Sequence, residues 1–186
     1  MKTVPFTVED MQRIICSYPT PFHVYDEAGI RYSSRSLLEA FSWADFTNYF
    51  AVKALPNPSV LELLRREGMG ADCSSLAELV LAERAGFRGE QIMFTSNDTS
   101  KEEFQKAYEL GAVINLDDIG HIASLEAAIG CLPELICFRF NPGAEREGNL
   151  IIGNPLEAKY GLTREQLFAA YATCKDKGVR RFGLHT

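Results

Sequence analysis

A spacing constrains this chain more than any single residue does. Apolar, strand-like runs end near Lys53, Ser74, Thr95, Asp117 and Asn141, about 21 to 24 residues apart. After each of the first four comes helix-start chemistry, then apolar residues at helical spacing, then a glycine. Val60, Leu61 and Leu64 mark a helix over 58–67. Leu76, Leu79, Val80 and Ala82 mark one over 76–85. Phe104, Ala107, Tyr108 and Leu110 mark one over 101–110, and Ile119, Ile122, Leu125 and Ile129 one over 119–129. Gly68, Gly86, Gly111 and Gly130 close them, in the left-handed position past a helix end that suits glycine. Strand, helix, glycine and strand again at this period is the pattern of parallel βα units.

The rhythm slips after Asn141. Residues 142–161 contain Pro142-Gly143, Gly148-Asn149, Gly153-Asn154-Pro155 and Tyr160-Gly161, a long loop of the kind that carries function. Thr163-Arg164-Glu165-Gln166 is a capping box opening a further helix, with Leu167, Phe168 and Tyr171 apolar and Gly178 at its end. Val179 to Thr186 begins a sixth strand. Six strands and five helices make three-quarters of a (β/α)8 barrel, which has eight of each. An open doubly wound sheet is the rival, but its G-x-G-x-x-G signature after a first strand is missing. The expected fold is α/β: a partial (β/α)8 TIM-type barrel over 46–186 behind an amino-terminal extension over 1–45. In that extension the pattern predicts a helix over 7–17 capped by Thr7, a break at Thr20-Pro21, a short strand Phe22-His23-Val24-Tyr25-Asp26, and a helix over 30–40.

Composition narrows the function classes. With 186 residues, 46% hydrophobic, and a net charge of −6, the chain suits one soluble globular domain. The acidic balance argues against nucleic acid or an anionic membrane as partner. No run approaches a membrane span, and Met1 to Thr7 lacks an apolar signal region. The five cysteines are scattered, odd in number and without C-x-x-C, so reduced thiols and a cytoplasmic setting are expected. His23, His121 and His185 lie far apart, with no metal-ligand spacing, and no metal is expected.

Candidate chemistry sits at strand ends. Lys53 closes the apolar run Phe46 to Ala54, just before Pro56 and the Asn57-Pro58 helix start. A lysine there is either a snorkelling surface residue or a nucleophile whose buried, uncharged amine forms a Schiff base. Asp72-Cys73-Ser74-Ser75-Leu76-Ala77-Glu78 ends the second run. Ser75 and Glu78 form a capping box and Asp72 suits a turn; alternatively both carboxylates face the same rim as Lys53. Cys73 reads as packing. Ser100 and Glu103 form another capping box. Arg139, before Asn141-Pro142-Gly143, is either a surface charge or an arginine paired inside the rim. His23 reads as structural.

These segments together resemble one family. Tyr49-Phe50-Ala51-Val52-Lys53-Ala54 is similar to the Y-A-V-K-A segment of the alanine-racemase-type (fold III) pyridoxal-phosphate decarboxylases, and Asp72 to Glu78 to their D-x-x-S-x-x-E. Asn97, Lys101 and Glu103 match a G-N-x-K-x-x-E-E-L segment, with Ser96 for the glycine. Asn115-Leu116-Asp117-Asp118 resembles N-x-D-S, and Arg139-Phe140-Asn141-Pro142-Gly143 resembles R-x-N-P-G. Lys159-Tyr160-Gly161 resembles the K-F-G of diaminopimelate decarboxylases, and Gly183-Leu184-His185 the start of G-L-H-x-H-x-G-S. The resemblance implies pyridoxal 5'-phosphate as cofactor and Lys53 as the catalytic lysine that carries it. Asp72, Glu78, Arg139 and His185 become cofactor-site neighbours. It implies an amino-acid decarboxylase, with meso-diaminopimelate as the expected substrate and arginine, ornithine or carboxynorspermidine as alternatives. A non-catalytic pyridoxal-phosphate barrel is the rival from another class. It further implies that the chain is an amino-terminal portion, inactive by itself, whose remaining part and homodimer partner complete the site.

Overall fold

The computed structural model describes residues 4–143 and 160–186. The loop segment over 144–159, with Gly148, Gly153 and Lys159, lies outside the described residues. Two helices come first, α1 (Val8–Ser17) and α2 (Glu27–Ala40). Then strands and helices alternate: β1 (Tyr49–Ala51), α3 (Pro58–Arg66), β2 (Gly70–Cys73), α4 (Leu76–Arg84), β3 (Ile92–Ser96), α5 (Lys101–Glu109), β4 (Val113–Leu116), α6 (His121–Ile129), β5 (Leu135–Arg139), α7 (Arg164–Asp176) and β6 (Arg181–His185). All neighbouring strands pair in parallel, in the order β1-β2-β3-β4-β5-β6. That order excludes the doubly wound rival, which reverses at a switch point. Each crossover leads to the adjacent strand with the same hand, so α3 to α7 fall on one face of the sheet. This is the topology of a (β/α)8 barrel, represented here by six strands.

The caps explain the helix boundaries. Asn57 Oδ1 accepts from the amides of Ser59 and Val60 at 3.0 and 3.2 Å, with Pro58 in the first turn. Ser100 with Glu103 and Thr163 with Gln166 form reciprocal capping boxes. Gly68, Gly86, Gly111, Gly130 and Gly178 take positive φ at or just beyond the ends of their helices. The extension differs from expectation. Phe22 to Asp26 is unpaired coil rather than a strand, because no neighbouring strand offers it a ladder. The second helix begins at Glu27, not near residue 30. It docks on the barrel: Ile30 and Leu37 pack with Val60, Leu64 and Met69, and Arg31 and Arg35 both bind Glu67 at the end of α3.

The two faces of the sheet differ in chemistry. Residues turned toward the helices are apolar and fully buried: Ala71, Cys73, Ile92, Phe94, Ile114, Leu116, Ile136 and Phe138. They pack with Leu79, Ala82, Phe104, Ala107, Leu125 and Ala170 from the helices. Registered neighbours on the other, concave face include Asp72 with Met93, Thr95 with Asn115, Asn115 with Cys137, and Arg139 with His185. Side chains alternate along a strand, so one register delivers an apolar convex face and a polar concave one. At the amino-terminal ends of the strands, the Tyr49 hydroxyl donates to the Glu90 carbonyl at 2.6 Å, and Arg181 Nη2 pairs with Glu90 Oε2 at 3.0 Å. Residues from β1 and β6, the two edge strands, thus meet at the turn before β3.

Gly183 on β6 has no room for a side chain. A Cβ there would lie 2.0 Å from Cys137 Sγ on β5. Gly183→Ala should destabilise the chain by about 1–3 kcal/mol, the usual cost of overpacking. Adding Cys137→Ala removes the sulfur and should restore most of the loss. Urea denaturation of both single variants and the double variant checks the non-additivity; purely additive effects would contradict this packing.

Candidate functional site

The carboxyl-terminal ends of the strands surround a cleft of about 860 Å³, within the range of small-molecule sites. Lys53, Asp72, Ser74, Thr95, Asn97, Arg139, Tyr160 and His185 are among the residues that line it. Four of the five residues singled out from sequence therefore come together, from β1, β2, β5 and β6.

Lys53 stands on a 3₁₀ turn, Val52–Ala54, that ends β1. Val52 is buried beneath it and Pro58 opens α3 a turn later. The turn lifts Lys53 out of the sheet, so the side chain is exposed at the rim. Of the two alternatives for its side chain, exposed or buried, the structure has the exposed one: the residue lies just past β1 and lines the cleft. Asp72 is half-buried on the adjacent strand. Burial raises its carboxyl pKa, Lys53 pulls it down, and Glu78 raises it again. Lys53 and Asp72 are therefore close enough to feel each other's charge.

Glu78 does not line the cleft. Its Oε2 accepts from the Ser74 amide at 3.0 Å and its Oε1 from the Ser75 hydroxyl at 3.1 Å, while Ser75 caps α4. Ser75 thus caps α4, but Glu78 binds the Ser74 amide rather than that of Ser75, so the expected reciprocal box is not closed, and Glu78 still acts on the Asp72 carboxyl. Glu103 likewise caps, accepting from the amides of Ser100 and Leu76 at 2.8 and 3.1 Å. Cys73 points into the helix side, where burial, with Glu78 and Asp72 adding, pushes its thiol up to about 12. It is packing and not a nucleophile. His23 is exposed on the extension beside Tyr25, and plays no part in the rim.

Arg139 is held on several sides. Its Nη1 pairs with Asp117 Oδ1 at 3.0 Å, and Asp117 is almost completely buried. Its guanidinium lies 5.3 Å from the centre of the Tyr160 ring. The backbone there is fixed by Leu162, whose amide donates to the Arg139 carbonyl and whose carbonyl accepts from Asn141, both at 2.8 Å. Gly161 permits this approach: its φ is +83°, and a Cβ would meet the Arg139 carbonyl oxygen at 3.1 Å. His185 is half-buried, and its Nδ1 lies 2.9 Å from Asn115 Nδ2. Burial first, then Arg139, lower its pKa, while Asp117 opposes them.

Asn115 and Asp117 are the rim residues that motif reading placed only as a sequence match. A signal for them existed. Asn115 is the one polar residue of the apolar strand Val113–Leu116, and Asp117 follows just past its end.

Fold and rim together define a singly wound barrel-type domain with a polar concave cleft. The chain belongs to the pyridoxal-dependent decarboxylases: the family model described as the pyridoxal binding domain of these enzymes matches residues 27–186. It is 44% identical over 169 residues to Protein TabA of Pseudomonas amygdali pv. tabaci, covering 91% of this chain and 39% of that one. It is 33% identical over 182 residues to diaminopimelate decarboxylase of Methanothermobacter thermautotrophicus, covering 95% and 42%. A solved variant of Helicobacter pylori diaminopimelate decarboxylase, complexed with L-lysine, superposes with a TM-score of 0.82 at 26% identity, covering 94% of this chain and 46% of that one. The chain thus spans less than half the length of these relatives.

The cofactor of this domain is pyridoxal phosphate, and the donor set suits it. The rim offers an exposed primary amine for an aldehyde, a carboxylate within its field, a guanidinium for an anionic group, and an imidazole. Among the described residues, no group of histidine, cysteine and carboxylate side chains is placed to hold a metal ion, and no helix is long and apolar enough to cross a membrane.

Asp72 yields a pH test. Its folded pKa lies above the ordinary 3.8, so the fold disfavours its charge. That penalty is present at neutral pH and fades as pH falls through the folded value and both states protonate. Asp72→Asn should therefore be at least as stable as the parent at pH 7, with the difference shrinking toward pH 3.8. Urea midpoints at several pH values read it. A variant clearly less stable at pH 7 would show that partners hold the carboxylate in place.

Proposed function

We propose that this chain is the cofactor-binding half of an amino-acid decarboxylase, with Lys53 as the lysine that carries pyridoxal phosphate. One observation carries the reading. Lys53, just past β1, and Asp72, Arg139 and His185 from three further strands line one cleft at the rim where α/β barrels do chemistry. Bound there, the cofactor supplies the electron sink for the carbanion left when carbon dioxide departs. Lys53 offers the amine nucleophile, exposed and free to swing into the cleft. Asp72 places a half-buried carboxylate on the same cleft. Arg139, braced by Asp117 and Tyr160, presents a fixed cation to an anionic group. His185 offers a ring face and one nitrogen. Glu78 acts behind them, holding the loop of Ser74 and Ser75.

The substrate is an amino acid, and meso-diaminopimelate, giving lysine, is the first choice. Its support is the likeness to several diaminopimelate decarboxylases and to solved relatives that hold L-lysine. One observation favours a second reading. Identity to Protein TabA is 44%, against 33% to the archaeal diaminopimelate decarboxylase. The same cofactor chemistry would then act on a different amino acid. A homodimer and a cytoplasmic setting belong to the same proposal.

Borohydride reduction of the protein with pyridoxal phosphate should place the adduct on the peptide containing Lys53. Lys53→Ala should abolish labelling there and all turnover, since among the described residues lining the cleft no other side chain supplies that amine. An adduct on Lys101 or Lys159 would sink the assignment. Carbon dioxide release from diaminopimelate, ornithine and arginine, by the protein in its natural reading frame, separates the two substrate readings.

A further inference from the structure

Asn115 lies beneath the cleft, on β4, and is 2% exposed. It reaches across β5 to β6, a strand that does not pair with its own. There its Nδ2 lies 2.9 Å from His185 Nδ1. Its other polar atom, Oδ1, is buried and has no hydrogen-bond partner among the described residues. Burying an amide oxygen unpaired is costly, so this side chain is poorly explained by stability alone. An amide N–H can only donate. With the amide in this orientation, the nitrogen it meets carries a lone pair and the imidazole proton sits on the other nitrogen, Nε2. A protonated ring would set N–H against N–H.

We infer that Asn115 is a positioning residue for His185, holding the imidazole by Nδ1 in the neutral tautomer so that the cleft meets an Nε2–H donor. The groups around the ring agree with this. Arg139, registered beside His185 on β5, disfavours a second positive charge, and burial acts the same way. Asp117, just past β4, opposes them but is already paired with Arg139. Cys137 of β5 and Tyr160 complete the surroundings in the cleft. On the proposed function, an Nε2–H donor matches an acceptor oxygen on the bound cofactor or substrate, where an imidazolium would add charge beside Arg139. That last step rests on the functional reading; the tautomer itself does not.

The test is nitrogen-15 NMR of the chain without cofactor, correlating ring nitrogens and carbon-bound protons of its three histidines. His185→Gln identifies the relevant signals. At pH 7, Nδ1 should be unprotonated and Nε2 protonated, with a midpoint below the ordinary 6.5. Asn115→Asp replaces the donor by an acceptor: the proton should move to Nδ1 and the midpoint rise by about 1 unit or more. Asn115→Leu, close in size, should leave the two tautomers mixed. A parent chain with the proton on Nδ1, which corresponds to a turned amide, would overturn the inference. So would His185 signals unchanged in both variants. If neither variant folds, the parent tautomer alone decides. Lys53 labelling is read in a separate experiment with cofactor, so a failure there is distinguishable from a failure here.

Discussion

Every crossover in this chain returns to the next strand on the same side, and the rest of the structure follows from that. With strand order equal to chain order, the helices share one face and the strands point one way. The convex face must then be apolar, and it is, from Ala71 to Phe138. Among the described residues, the helices that follow the strands pack on the convex face. The carboxyl-terminal rim of the concave face collects the residues that follow each strand, so side chains distant in sequence meet in one cleft.

A polar concave face must be satisfied internally. Asp117 is buried and would be costly unpaired; Arg139 meets it at 3.0 Å. Arg139 in turn depends on Leu162 for its backbone and on Tyr160 for its guanidinium. Asn115 spans the face to His185. At the opposite rim, Glu90 gathers Tyr49 and Arg181. These links run between strands that are not all neighbours, so they tie the curved sheet together while leaving the carboxyl-terminal rim open.

The barrel was legible because its signals are local and repeated: apolar runs, capping residues, and glycine past each helix. Lys53, Asp72, Arg139 and His185 were legible because each lies at or next to the carboxyl end of a strand. Other features depend on partners that spacing does not reveal. Phe22 to Asp26 has strand-like residues but no strand to pair with. Lys53 follows an apolar run, yet a 3₁₀ turn carries it into solvent. Glu78 could serve the cleft or its own helix, and only geometry shows it bonded to Ser74 and Ser75. Asn115 and Asp117 stood only as a motif match, and the geometry sets Asn115 against His185 and Asp117 against Arg139.

The central claim is that the cofactor sits at the carboxyl-terminal rim of the concave face and nowhere else on the chain. Hydrogen exchange with and without pyridoxal phosphate tests it directly. The account predicts new protection in the peptides around Lys53, Ser74, Arg139 and His185, with exchange unchanged at Glu90 and at the start of β6. Protection at the amino-terminal rim around Glu90, or along α1 and α2, would contradict it.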